Sequence, residues 1–144
     1  MQDGQVLRIC AGPGWLRVIA TGEFSLEEAK RTVLEILDAV ARHKTAKILF
    51  DGREIKGDPV TIERFFYGEF VARAVARYII ESDVPRSPQF AYVLQEPVLD
   101  PQRFGETVAL NRGMRVNAFD NVDDALGWLK LVEDLRARGT PAKY

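Results

Sequence analysis

Apolar positions along this chain switch between two spacings, and the switches mark its elements. At the start they come in short runs: Val6, Leu7, Ile9 and Cys10, then Trp15, Leu16, Val18, Ile19 and Ala20. Gly12–Pro13–Gly14 lies between them and combines two residues free to take positive φ with one locked near −65°, so residues 5–21 are expected to form a β-hairpin. From Leu26 the spacing becomes helical. Leu26, Ala29, Val33, Ile36, Leu37 and Val40 share one stripe, while Glu27, Lys30, Arg31, Glu35, Asp38 and Arg42 fall largely opposite. Ser25 and Glu28 make a capping box, Phe24 and Ala29 occupy the staple positions, and the cations His43 and Lys44 suit a C-terminus.

The pattern then alternates. Ile48, Leu49 and Phe50 form a continuous apolar run over 46–51, as in a strand buried on both faces, and a polar loop is expected from Arg53 to Asp58. Asp58–Pro59 reads as a cap plus first-position proline, opening a helix to about Glu81. Pro85 and Pro88 break the chain before a second buried strand, Phe90–Leu94. Asp100–Pro101 repeats the cap-plus-proline signal for a helix to about Arg112, with Gly113 placed to close it. Arg115–Phe119 is a last strand, and Asn121 caps a final helix running to about Leu135, with Gly139 and Pro141 beyond it. The order β-β-α-β-α-β-α-β-α predicts one α/β domain over residues 1–144, its ordered core about residues 5–138. Right-handed crossovers then require a mostly parallel sheet with an antiparallel N-terminal edge hairpin.

Composition narrows the function classes. A chain of 144 residues is long enough to bury roughly 70% of its unfolded surface in one core. Twenty basic and 21 acidic side chains leave a net charge of −1, which supplies no phosphate-neutralising surface, so nucleic acid is not an expected partner. A single cysteine, Cys10, precludes an internal disulfide and points to a reducing compartment. The polar start Met1–Gln2–Asp3–Gly4 lacks a signal-peptide layout, and no apolar run reaches the 18 residues of a membrane span, so a cytoplasmic location is expected.

The C-terminal stretch Arg115–Val116–Asn117–Ala118–Phe119–Asp120–Asn121–Val122–Asp123–Asp124–Ala125–Leu126–Gly127–Trp128–Leu129 resembles uncharacterised bacterial members of the STAS-like family, relatives of the anti-sigma-factor antagonists. Gly22–Glu23–Phe24–Ser25 and Lys47–Ile48–Leu49–Phe50–Asp51 support the likeness, as does the element order. The resemblance implies a non-enzymatic regulatory module acting by protein–protein contact or as a homodimer. Its fold relation to CRAL-TRIO lipid-binding domains implies an alternative, a carrier or sensor of a small hydrophobic, lipid-like ligand. Phosphorylatable family members place a serine or threonine after an aspartate at the end of the central strand. Here Asp51 matches, but Gly52 takes the acceptor position and residues 53–58 carry no hydroxyl. Thr61, the first hydroxyl beyond, reads as a first-turn helix residue, so a switch of the family type is not expected.

Residue chemistry adds two candidate surfaces. Asp51, Arg53 and Glu54 stand at the carboxyl end of a central parallel strand, where open α/β sheets bind ligands; Arg53 would be the anion-binding group, with Gln95, Glu96 and Asp120 converging from neighbouring strand ends. The second surface is the helix over 59–81. Ile62, Phe65, Phe66 and Phe70 share one face, with Tyr67, Val71, Val75 and Tyr78 on another, more apolar surface than one sheet face can cover. Phe65, Phe66, Phe70 and Tyr78 are therefore expected to line an interface or an apolar pocket, flanked by Arg64, Arg73 and Arg77. His43 is expected to favour a helix end and Cys10 to be a small buried hydrophobe. Gly12–Pro13–Gly14 leads into a strand rather than a helix, so it is not a phosphate cradle. No metal, cofactor or catalytic constellation is expected: there is one histidine, and the pairs Glu27–Glu28 and Asp123–Asp124 lie in first helical turns.

Overall fold

The computed structural model describes residues 6–82 and 87–131. Five strands, β1 (Val6–Gly12), β2 (Trp15–Glu23), β3 (Lys47–Lys56), β4 (Gln89–Val93) and β5 (Arg115–Phe119), form one sheet in sequence order. β1 and β2 are antiparallel, and β2 through β5 are parallel. Four helices complete the α/β domain: α1 (Leu26–His43), α2 (Thr61–Ser82), α3 (Phe104–Asn111) and α4 (Val122–Leu129). Each of the three crossovers between parallel neighbours steps the same way across the sheet. Right-handed connections therefore stack α1, α2 and α3 on one face, and α4, which follows the last strand, covers the other.

Two apolar layers result. Leu16, Val18, Ile48, Phe50, Phe90 and Val116 face α1–α3 and pack on Val33, Ile36, Val40, Val71 and Val75. Leu49, Ala91 and Val93 point the opposite way, against Ala125, Leu126, Leu129 and Leu131 of the α4 side. The continuous apolar runs of β3 and β4 follow from this double coverage. Burying Phe90 alone, at 1% exposure, contributes about 2 kcal/mol of transfer free energy.

Apart from α2, which begins at Thr61 rather than at the expected Asp58–Pro59, with the Val60 amide donating to Glu63 at 2.9 Å, the end signals operate as the side-chain chemistry requires, with three departures. Ser25 Oγ accepts from the Glu28 amide at 3.2 Å, Lys44 closes α1 in the left-handed region, and Asn121 Oδ1 accepts from the Asp124 amide at 2.8 Å. The first departure is β3, which continues through the expected loop to Lys56. It does so by a bulge. Ile19 pairs with Asp51 but Thr21 with Glu54, so β3 carries one extra residue before Ile55 and Lys56 rejoin the ladder opposite Gly22 and Glu23. Second, Asp100–Pro101 makes a turn rather than opening α3. Asp100 accepts from the Gln102 amide at 3.0 Å and the Phe104 amide at 2.9 Å, Arg103 takes a left-handed φ of 56°, and the helix begins at Phe104. Third, α4 stops at Leu129 with Lys130 in the left-handed region at φ 61°. The expected break at Pro85 and the expected features at Leu135, Gly139 and Pro141 lie outside the described residues.

Candidate functional site

The bulge in β3 separates two candidate regions. Alternation sends Asp51 to the face opposite Phe50, while Gly52 returns to the Phe50 side. Asp51 is buried and Arg53 half-exposed. Asp51 Oδ1 accepts from the Arg53 amide at 3.2 Å and from Arg53 Nε at 2.9 Å, and Arg53 Nη2 donates to Asp51 Oδ2 at 2.7 Å. This fork-to-fork pair, short in the way charge-assisted bonds are, matches the guanidinium to a carboxylate of its own strand. Arg53, where an anion-binding group was expected, is thus paired with a carboxylate of its own strand. A shallow depression is lined by Asp51, Arg53, Glu54, Lys56 and Gln95 together with Ile19 and Ala20. Of the three groups expected to converge, Gln95 does; its amide donates to the Asp120 carbonyl at 3.3 Å. Glu96 does not line the depression, and the Asp120 carboxylate accepts from Asn121 at 2.9 Å.

On the other face a cavity of about 140 Å³ lies between the carboxyl halves of β3–β5 and the three helices. Small residues leave it open: Ala29 of α1, Gly68 of α2, Gly105 and Ala109 of α3, and Ala118 of β5 all line it. Gly68 also lets α2 and α3 approach, since a Cβ there would lie 2.6 Å from the Gly105 carbonyl oxygen. Phe50, Ile55 and Leu94 form one wall and Val71 another. Most cores of this size have few voids larger than a water molecule, so the space is a feature of this packing.

The polar groups around the cavity are matched with one exception. Arg64 donates to the Val98 carbonyl at 3.0 Å and the Pro97 carbonyl at 2.8 Å. Arg103 donates to the Ala118 carbonyl at 2.6 Å and to Glu106 at 3.1 Å, and Glu106 accepts the Ala118 amide at 3.2 Å. Asp100 is held below the usual carboxylate range: burial pushes it up, but the Phe104 and Gln102 amides and the Arg64 charge outweigh that. The exception is the Tyr67–Tyr92 pair, whose hydroxyls meet at 2.8 Å with rings edge to face. Two hydroxyls share one mutual bond, so one proton remains without a protein acceptor among the described residues. Burial pushes both tyrosines up, Tyr92 to about 12, so both are neutral donors at ordinary pH.

Known structures share this arrangement. An anti-sigma factor antagonist from Mycobacterium paratuberculosis superposes with a TM-score of 0.55 at 14% identity, covering 90% of this chain and 97% of its own. An uncharacterised protein with a SpoIIAA-like fold from Shewanella loihica gives 0.51 at 17% identity, covering 90% and 96%. The chain has the SpoIIAA-like fold. No protein-family model and no curated protein matches the sequence.

Within the SpoIIAA-like fold, Gly52 holds the place where the STAS-like resemblance puts a hydroxyl acceptor. A Cβ there would lie 2.8 Å from Leu94 Cδ2 and Phe50 Cε1 and 2.9 Å from Ile55 Cδ1, all cavity-wall side chains. The space of an acceptor side chain is thus occupied by the wall. The aromatic helix divides its residues differently from the sequence expectation. Phe65, Phe66, Phe70 and Tyr78 do not line the cavity; Tyr67 does, with Arg64 beside it. Phe65 stacks on Phe104 at 6.5 Å and carries the Arg112 guanidinium at 5.7 Å, and Phe66 packs edge-on to Phe65 while remaining 45% exposed. Phe70 lies under the Lys30 ammonium at 5.5 Å, and Tyr78 packs at the edge of the core. Arg73 and Arg77 are exposed, Arg73 pairing with Glu69 at 3.6 Å.

Tyr92, Arg103 and Glu106 were not legible as site residues. The one available signal was Tyr92 itself, a polar-tipped ring inside the apolar run Phe90–Leu94, which when buried needs a partner. Cys10, expected buried, is exposed on the edge strand β1. His43 ends α1 as expected. Among the described residues no three His, Cys, Asp or Glu side chains are placed to share a metal ion, and no helix is long and apolar enough to cross a membrane.

Proposed function

We propose that this chain is a non-enzymatic STAS-like regulatory module of the cytoplasm, acting by contact with a protein partner or a second copy of itself and not switched by phosphorylation at position 52. The observation that carries this reading is an apolar patch on the outer helical layer of a fold shared with an anti-sigma factor antagonist. Ile62 is 55% exposed and Phe66 45%, four residues apart on α2, and Phe65 joins them to the exposed ring of Phe104 on α3. Contiguous exposed rings of this kind mark interaction surfaces more often than isolated ones do. Light scattering across the micromolar range tests self-association, and affinity capture from the host tests a partner. Phe66→Asp is expected to abolish whichever association the wild-type protein shows while leaving the fold intact. A wild-type protein that stays monomeric, and captures nothing that Phe66→Asp fails to capture, overturns the reading.

A second reading, a sensor or carrier of a small apolar molecule, is favoured by a separate observation, the cavity beneath α2. Its size suits one ring more than the acyl chain of a lipid.

A further inference from the structure

From the cavity and its tyrosine pair we infer that this space is a binding site for a small, uncharged, ring-sized molecule carrying one acceptor oxygen, such as a cyclic ketone. The inference rests on the second reading above and adds the ligand's chemistry. The volume, about 140 Å³, is close to that of an engineered apolar cavity, ~150 Å³, that takes up benzene. The walls select against charge. Arg64, Arg103 and Glu106 spend hydrogen bonds on backbone groups of residues 97–98 and 118, and Asp100 on the amides of Gln102 and Phe104, so the charged side chains of the rim are already engaged with the protein. The Tyr67–Tyr92 pair supplies the unspent donor. Whichever hydroxyl accepts the mutual bond has its own proton left to donate, and both groups face the cavity. A water molecule could take that bond but would leave the apolar wall uncovered. A carbonyl oxygen satisfies the proton while its ring covers the apolar wall.

The test uses an isosteric pair of probes, cyclohexanone and methylenecyclohexane, which differ by an oxygen in place of a CH₂. Amide chemical shifts are followed in the full chain and in Tyr67→Phe/Tyr92→Phe. Removing both hydroxyls leaves no half-satisfied partner, so the variant keeps its fold. Both probes are expected to shift the amides of Ala29, Gly68, Val71 and Ala118. The double variant is expected to bind the ketone about fivefold more weakly, the effect of one hydrogen bond, and the alkene within about twofold of wild type. Equal ketone affinity in the two proteins, with the alkene still bound, overturns the assigned hydrogen bond and leaves the cavity reading standing. No shift at those amides from either probe overturns the cavity reading itself. Ala109→Leu gives a second arm: filling the space should weaken both probes at least tenfold, and unchanged affinities place binding elsewhere and overturn the site.

Discussion

The two sides of the β3 bulge show how differently polarity and function can be related. On one side, Asp51, Arg53, Glu54 and Lys56 gather four charged groups beside Gln95, yet the central arginine spends three hydrogen bonds on its neighbouring carboxylate. On the other, a largely apolar space holds two phenol groups and one unspent proton. Charge density made the first region conspicuous in the sequence. Unsatisfied bonding capacity in a largely apolar place is the better pointer to a ligand.

The largest expected effect comes from breaking the first region. Asp51→Ala removes a buried carboxylate and all three bonds to Arg53; with the guanidinium half-exposed and able to rehydrate, a loss of about 2–3 kcal/mol is expected by urea unfolding. A binding role for this region would instead show as near-normal stability with impaired function. Next comes Gly52→Ser. Its Cβ must displace Phe50, Ile55 and Leu94, so overpacking is expected to cost about 2 kcal/mol and to narrow the cavity. A variant as stable as wild type that is then phosphorylated by a kinase would remove the distinction between this chain and a switchable relative.

These two variants fall where sequence reading reached least. The hairpin, the capped α1 and α4, and the buried runs of β3–β5 were legible because each rests on local chemistry: Ser25 and Glu28, Asn121, the β-branched and aromatic runs. The strand through Gly52–Lys56 was not, because four of its five residues are polar or small and read as a loop, and their pairing with Thr21–Glu23 is fixed from another strand. The division of labour along the aromatic helix was not legible for a related reason. Periodicity counts apolar residues around α2 but does not say that Gly68 and Gly105 bring α3 against it, which covers Phe65 and leaves Tyr67 facing the sheet. The cavity is made by residues of little bulk, Ala29, Gly68, Gly105, Ala109 and Ala118, and they come from four separate elements of the chain.

Smaller effects probe the cavity rim. Asp100→Ala removes the acceptor for two amides at the turn into α3, and a loss of about 1 kcal/mol is expected, as for other capping side chains. The folded-state pKa of Asp100 is depressed, so its contribution is present above the ordinary carboxylate pKa and is lost as pH falls through the lower folded value. Acid unfolding followed by circular dichroism should therefore show a gentler low-pH decline in the variant than in wild type. Identical acid limbs would detach Asp100 from the stability of the rim.

The tyrosine pair yields, in its double variant, the smallest effect at neutral pH and the most diagnostic one. Tyr92→Phe alone strands the Tyr67 hydroxyl in an apolar space and is expected to cost about 1–2 kcal/mol, and Tyr67→Phe the same. Tyr67→Phe/Tyr92→Phe should cost less than either, because no polar group remains to be satisfied, giving a double-mutant cycle with a clear coupling. Alkaline pH separates the variants further. Both tyrosines titrate above their unfolded value near 10, so the protection they confer is complete below that pH and is lost as pH rises towards the folded value, about 12 for Tyr92. Wild type should lose stability across this window because unfolding releases phenols that ionise, and the double variant should hold its stability further into base. Additive single-variant costs, or alkaline limbs that coincide, would mean that the two hydroxyls are not one buried unit, and the contrast between the matched ion pair at Asp51–Arg53 and the unmatched proton beneath α2 would not hold.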